Sequence, residues 1–174
     1  MSLSKVVESM EALSRRIERA SEFFLCCLMG FMCTIVFIQV LSRFFLPFSM
    51  VWSAELARIM LMWVAFIGAS LGLKKGSFIA VRFFVGVLPR RVGTQINIIV
   101  QVIILTFILL GLVHGGLFLE FLHKTGQISA QLKLPMYYHF GSLAVGFLFM
   151  FIHALSILAR MLLDGLQAGK ESNL

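Results

Sequence analysis

The sequence predicts an all-α membrane protein: four transmembrane helices, one amphipathic surface helix before the first, another between the second and third, and both termini in the cytoplasm. Three observations carry that prediction. The 174 residues are 60% hydrophobic and only 13% charged, with 18 Phe and 10 Met. Four apolar runs reach the roughly 20 residues that a helix needs to cross a bilayer. Lys and Arg fall mostly on one side of the topology that these runs define.

Taken in order, residues 1–22 come first, with Val6, Met10, Leu13, Ile17, Ala20 and Phe24 at helical spacing and most basic residues elsewhere. That pattern describes a helix lying on the membrane surface. The spans follow at 23–46, 51–73, 96–122 and 136–163. A cleaved leader is the rival reading of the first run. The polar stretch before it carries four carboxylates, however, and no small-residue cleavage site precedes "VLSRFFLPF", so the run reads as an anchor. Residues 77–88, "SFIAVRFFVGVL", are apolar apart from Arg82 but too short to cross, and they read as an interfacial helix between "LKKG" and "PRRVG". Little chain remains for a soluble domain, so residues 1–174 form a single integral membrane domain.

With the N-terminus inside, eleven Lys and Arg lie on the cytoplasmic side, and only Arg43, Lys124 and Lys133 lie outside. The formal charge of +7 is therefore a topology signal first. The basic residues are dispersed at helix ends without a recognition motif, which argues against nucleic-acid binding. Cys26, Cys27 and Cys33 share one span without disulfide or metal spacing, and they read as small apolar residues of the helix core.

The second span opens with a conflict. "SAELARIMLMW" puts Glu55 and Arg58 inside an otherwise apolar helix, where each charge costs about 2.5–3.5 kcal/mol at the bilayer centre. At about 100° per residue, Glu55, Arg58, Met62, Ala65, Ala69 and Gly72 share one stripe, charged at one end and small along the rest. Small residues admit close helix packing, so this face should meet protein. Gly68 to Gly72 and Gly111 to Gly115 have the same small-xxx-small spacing. Arg43 lies at a depth similar to Glu55, and Glu120 would supply Arg58 with a carboxylate. The expected arrangement is a buried ionic clasp fixing helix register. The other reading sends one charge to a substrate, an ion or a partner chain.

Other chemistries fit less well. His139 and His153 are spaced as in a two-haem helix, but only His114 and His139 would share a depth, which allows one haem at most. The surroundings of Glu55 and Arg58 turn apolar at once, unlike a membrane-embedded transferase. No Ser/His/Asp set, HExxH, CxxC or phosphate loop is present, so catalysis is not expected. Inverted repeats and broken midplane helices, the marks of a self-sufficient transporter, are also missing. A small independent channel or exporter remains an alternative.

From Trp52 through Glu55, Arg58, Trp63, Gly68, Ala69 and Lys74, the chain resembles the small membrane subunit of tripartite ATP-independent periplasmic (TRAP) transporters. The basic residues after "LP" at Leu88 to Arg91 and the "LPMYY" at Leu134 to Tyr138 agree. Where many members carry His and a later Asp, this chain has Phe78 and Arg82, so no contact of those residues carries over. The resemblance implies a bacterial inner-membrane subunit, itself without cofactor. It implies two partners: a large elevator subunit that holds the sodium and substrate sites, and a periplasmic binding protein that delivers an organic acid anion such as sialic acid or a C4-dicarboxylate. The small subunit would be a static scaffold, in contact with membrane lipids, whose Arg43, Trp52, Glu55, Arg58 and Glu120 shape the clasp and partner interface.

Overall fold

The computed structural model describes residues 3–45, 51–85 and 90–171. They form four long helices: α1 (Leu3–Phe45), α2 (Val51–Val85), α3 (Arg90–Thr125) and α4 (Met136–Glu171). Each contains a stretch long and apolar enough to cross a membrane: Val7–Phe45, Trp52–Gly76, Gln95–Thr125 and Met136–Met161. The four expected spans are therefore the four helices.

The expected surface helices are not separate elements. Residues 3–22 are the first part of α1, which runs unbroken for 43 residues, about 64 Å at 1.5 Å per residue. No Gly or Pro lies between residues 3 and 29 to stop it. Residues 77–85 likewise continue α2, since a lone Gly76 weakens a helix without ending it. The end expected for that segment, residues 86–88, lies outside the described residues, as does the turn at 46–50.

Successive helices run up and down, and α4 packs against the other three, most extensively against α2 and α3. α1 flanks it beside α2, and α3 closes the opposite side. The interior is unusual in what it buries. Ser14, Ser21, Ser42, Ser53, Ser70, Ser142 and Ser156 are buried, whereas Phe23, Phe31, Phe37, Phe44 and Phe107 are exposed. This is the arrangement a lipid solvent favours: large apolar groups lose nothing by facing hydrocarbon, and small residues let helices approach. On α1 the buried positions Val7, Ser14, Ser21 and Ser42 fall on multiples of seven, the repeat that keeps one seam toward a neighbour. The apolar line read as the membrane-facing side of a surface helix is offset from it, with Leu13 exposed. The three cysteines are exposed as well, contrary to their expected place in the core.

Gly111 and Gly115 do make close packing possible. A Cβ at Gly111 would stand 2.5 Å from the Phe147 ring, and one at Gly115 would stand 2.8 Å from Leu143. At Gly146 the neighbour is main chain, and a Cβ there would meet the Phe66 backbone at 3.0 Å. Phe147 fills the space beside it, 6.2 Å from Phe66 and 6.4 Å from Phe107 between ring centres, so mid-bundle contact is aromatic on both sides of α4.

Candidate functional site

At one end of the bundle, α3 and α4 are joined by residues 126–135. α3 stops at Gly126, whose φ of +60° ends the helix in the left-handed conformation. The Ser129 amide donates to the Leu134 carbonyl at 2.8 Å, and the Met136 amide to Gln127 at 2.8 Å. These bonds fold the loop into a narrow hairpin. Its tip turns two successive amides, Gln131 and Leu132, toward α2. Both donate to Glu55 Oε2, at 2.9 and 3.0 Å. The other carboxylate oxygen lies 3.6 Å from His139 Nε2 on α4, beyond hydrogen-bond range but close enough for charge interaction. The Glu55 side chain is only 12% exposed.

Glu55 thus stitches α2 to the start of α4 through backbone amides, and this differs from the clasp expected of it. Arg43 and Arg58 are exposed and make no ion pair with another described residue. Glu120 is exposed and bonds Lys124 one turn along its own helix, at 2.6 Å. The physical reason is direction. Arg58 follows Glu55 by three residues, yet Glu55 leans toward α4 while Arg58 stands on the exposed face of α2. Trp52 is exposed too. Of the expected packing residues on α2, Ala65, Ala69 and Gly72 are exposed and Gly68 is half-buried, with no atom within 4 Å of a Cβ at Gly68 or Gly72. Only the pair on α3, Gly111 and Gly115, packs within this chain.

The opposite, basic end is tied differently. Lys74 Nζ lies 2.7 Å from Glu18, Lys75 pairs with Glu22, and Arg160 reaches Glu11 at 3.5 Å. Deeper in, Ser14 Oγ and His153 Nδ1 are 2.8 Å apart, both groups fully buried. Gln101 donates its side-chain amide to the Ala154 carbonyl at 2.9 Å. From Glu55 to Lys74 is 19 residues along α2, about 28 Å, which matches a hydrocarbon core of about 30 Å. The two sets of ties therefore stand about one hydrocarbon thickness apart along α2.

Sequence reasoning missed the Gln131 and Leu132 amides, the Ser14–His153 bond, Gln101 and Gly146. Gln101 and His153 carry a visible signal, a polar side chain inside an apolar span, and Ser142-xxx-Gly146 has small-residue spacing. The amides carry none, because a backbone donor looks alike at every residue. Of the pair in the haem alternative, His114 lies on the exposed face of α3 with its ring on the Leu110 carbonyl, and His139 is buried beside Glu55.

With this geometry established, similarity to known proteins places it. The chain is 26% identical over 110 residues to the sialic acid TRAP transporter small permease protein SiaQ of Vibrio cholerae, across 61% of this chain and 64% of that one. It is 28% identical over 83 residues to the sialic acid TRAP transporter permease protein SiaT of Haemophilus influenzae, across 48% of this chain and 13% of that one. The matched stretch thus spans less than two thirds of either relative. Residues 32–164 match tripartite ATP-independent periplasmic transporters, DctQ component, a family of transporter components and not of enzymes. With its four apolar helices, the protein is a multi-pass inner-membrane protein, and it belongs to the DctQ component family of TRAP transporters.

Proposed function

We propose that this chain is the small membrane subunit of a sodium-driven importer of an organic acid anion, and that it serves as the static wall beside a large elevator subunit. The anion is of the sialic acid or C4-dicarboxylate class, and the relatives named for sialic acid favour the first. Sodium and substrate sites belong to the large subunit, and a periplasmic binding protein delivers the anion. In this reading both termini are cytoplasmic: the basic end faces the cytoplasm, following the distribution of Lys and Arg, and the Glu55 end faces the periplasm.

The observation that carries the scaffold role is the pair of polar ties at the two ends of the bundle. Glu55 fixes α2 to the 126–135 loop, and the lysine–glutamate pairs with Ser14–His153 fix α1 to α2 and α4. A unit held at both ends moves as one body. Support for a large partner comes from SiaT, in which the stretch similar to this chain is part of a much longer permease.

The experiment is to tag the chain, purify it gently from its native membrane, and measure what co-elutes. A one-to-one complex with a larger multi-span protein, together with sodium-dependent anion uptake that is lost when this chain is deleted, is the expected outcome. Recovery as a lone or homo-oligomeric species, or flux through liposomes containing this chain alone, would overturn the reading.

A further inference from the structure

The outward faces of the helices are not alike. α1 exposes Phe31 and Phe37, and α3 exposes Ile103 and Phe107, side chains suited to lipid. Along α2 the exposed line runs Ala54, Arg58, Leu61, Ala65, Ala69 and Gly72, steps of three and four that keep to one face. It holds one large apolar residue, Leu61 at 56% exposure, and one charge. The glycines are informative because glycine is a poor helix former. Gly146 is needed inside this chain, where a Cβ would strike Phe66, whereas a Cβ at Gly72 meets nothing within 4 Å. Arg58 sits seven residues into α2, about 10 Å below its start, within the apolar Trp52–Gly76 span. It makes no ion pair with another described residue.

We infer that this line on α2 is the surface that docks the large membrane subunit, by way of a helix that packs backbone-close on Ala65, Ala69 and Gly72 and presents a carboxylate to Arg58. The inference rests on the small-subunit reading above. Charge complementarity selects this occupant: Arg58 is exposed on the outward face of an apolar span, where a cation is costly unless a partner charge meets it, and small residues suit a helix better than disordered acyl chains.

The test uses the complex in native membranes, with both the small chain and the co-purified large subunit quantified. Gly72→Leu fills open space, so the chain should accumulate normally while the recovered large subunit falls at least about tenfold. Arg58→Glu should do the same and Arg58→Lys should retain most of it. Gly116→Leu, which also meets nothing within 4 Å but lies on α3, should leave recovery unchanged. If a variant fails to accumulate, a photoreactive benzoylphenylalanine at Leu61 in the otherwise native chain should cross-link to the large subunit, and one at Phe107 should not. Wild-type recovery by Gly72→Leu and Arg58→Glu would overturn the proposal and leave a lipid phosphate as the Arg58 partner, as would absence of the Leu61 cross-link in an intact complex. If the wild-type chain brings down no large subunit, the small-subunit reading itself fails.

Discussion

The two ends of this bundle are closed by opposite means. At the loop end a single carboxylate, Glu55, accepts two backbone amides. At the basic end the work is shared among Glu18–Lys74, Glu22–Lys75, Glu11–Arg160 and Ser14–His153. Backbone amides in a folded loop are already oriented, so one acceptor holds them with little loss of side-chain freedom. Lysine and glutamate pairs immobilise two long side chains in water-accessible surroundings and are screened by salt. The loop end should therefore depend on one residue, whereas the basic end should weaken gradually.

The largest effect is expected from Glu55→Ala. The Gln131 and Leu132 amides lose their acceptor together, and the hairpin retains only its own bonds near Ile128 and Pro135. Lys133, exposed at the loop, should become readily cleaved by trypsin added from the loop side of sealed vesicles. Glu55→Gln keeps an acceptor oxygen without the charge and should fall between the two. Equal cleavage in wild type and Glu55→Ala would mean that the hairpin holds itself, and the contrast between the ends would disappear.

Next comes the buried pair. His153→Leu leaves the Ser14 hydroxyl without its partner in a closed space, a loss of about 1–3 kcal/mol. The double variant Ser14→Ala/His153→Leu removes both polar groups and should recover much of the difference, which a double-mutant cycle on thermal melting of the purified chain would read. Additive losses would show that the two groups do not depend on each other.

These ties also mark the boundary of what the sequence reveals. The spans were legible because hydropathy over some 20 residues is dictated by the bilayer itself. The stripe on α2 was legible as a face, since Arg58, Ala65, Ala69 and Gly72 follow from helical spacing, but its direction was not. Glu55 was expected to meet Arg43, and it meets amides that lie 76 and 77 residues away. Nothing in "TGQISAQLKLP" distinguishes two donors from their neighbours. On α1 the apolar periodicity marks the outward side and not the helix seam. Leu13 and Phe24 mark the outward face, because in lipid the larger apolar residues need no burial, and Ser14, Ser21 and Ser42 mark the seam. The continuity of α1 and α2 beyond the spans was hidden for a simpler reason: an amphipathic segment has the same pattern whether it lies on a membrane or extends a helix.

A smaller effect is expected at Lys74. Its pair with Glu18 is partly sheltered, the side chains being 19% and 22% exposed. Lys74→Met keeps the apolar stem against the bundle and removes the charge, and it should cost about 1 kcal/mol, read as a modest drop in melting temperature.

The smallest effect belongs to Lys75. Its pair with Glu22 is the more open of the two, with side chains 59% and 43% exposed, and both partners keep their hydration when separated. Lys75→Gln should leave melting temperature and trypsin sensitivity unchanged, and raising the salt concentration should weaken the wild-type pair without opening the 126–135 loop, because the Glu55 side chain is largely sheltered from solvent. A Lys75→Gln effect as large as that of Glu55→Ala would reverse the comparison. The basic end would then be a cooperative network in which each charge holds the next, and Lys74 and Arg160 variants would have to show the same steep loss.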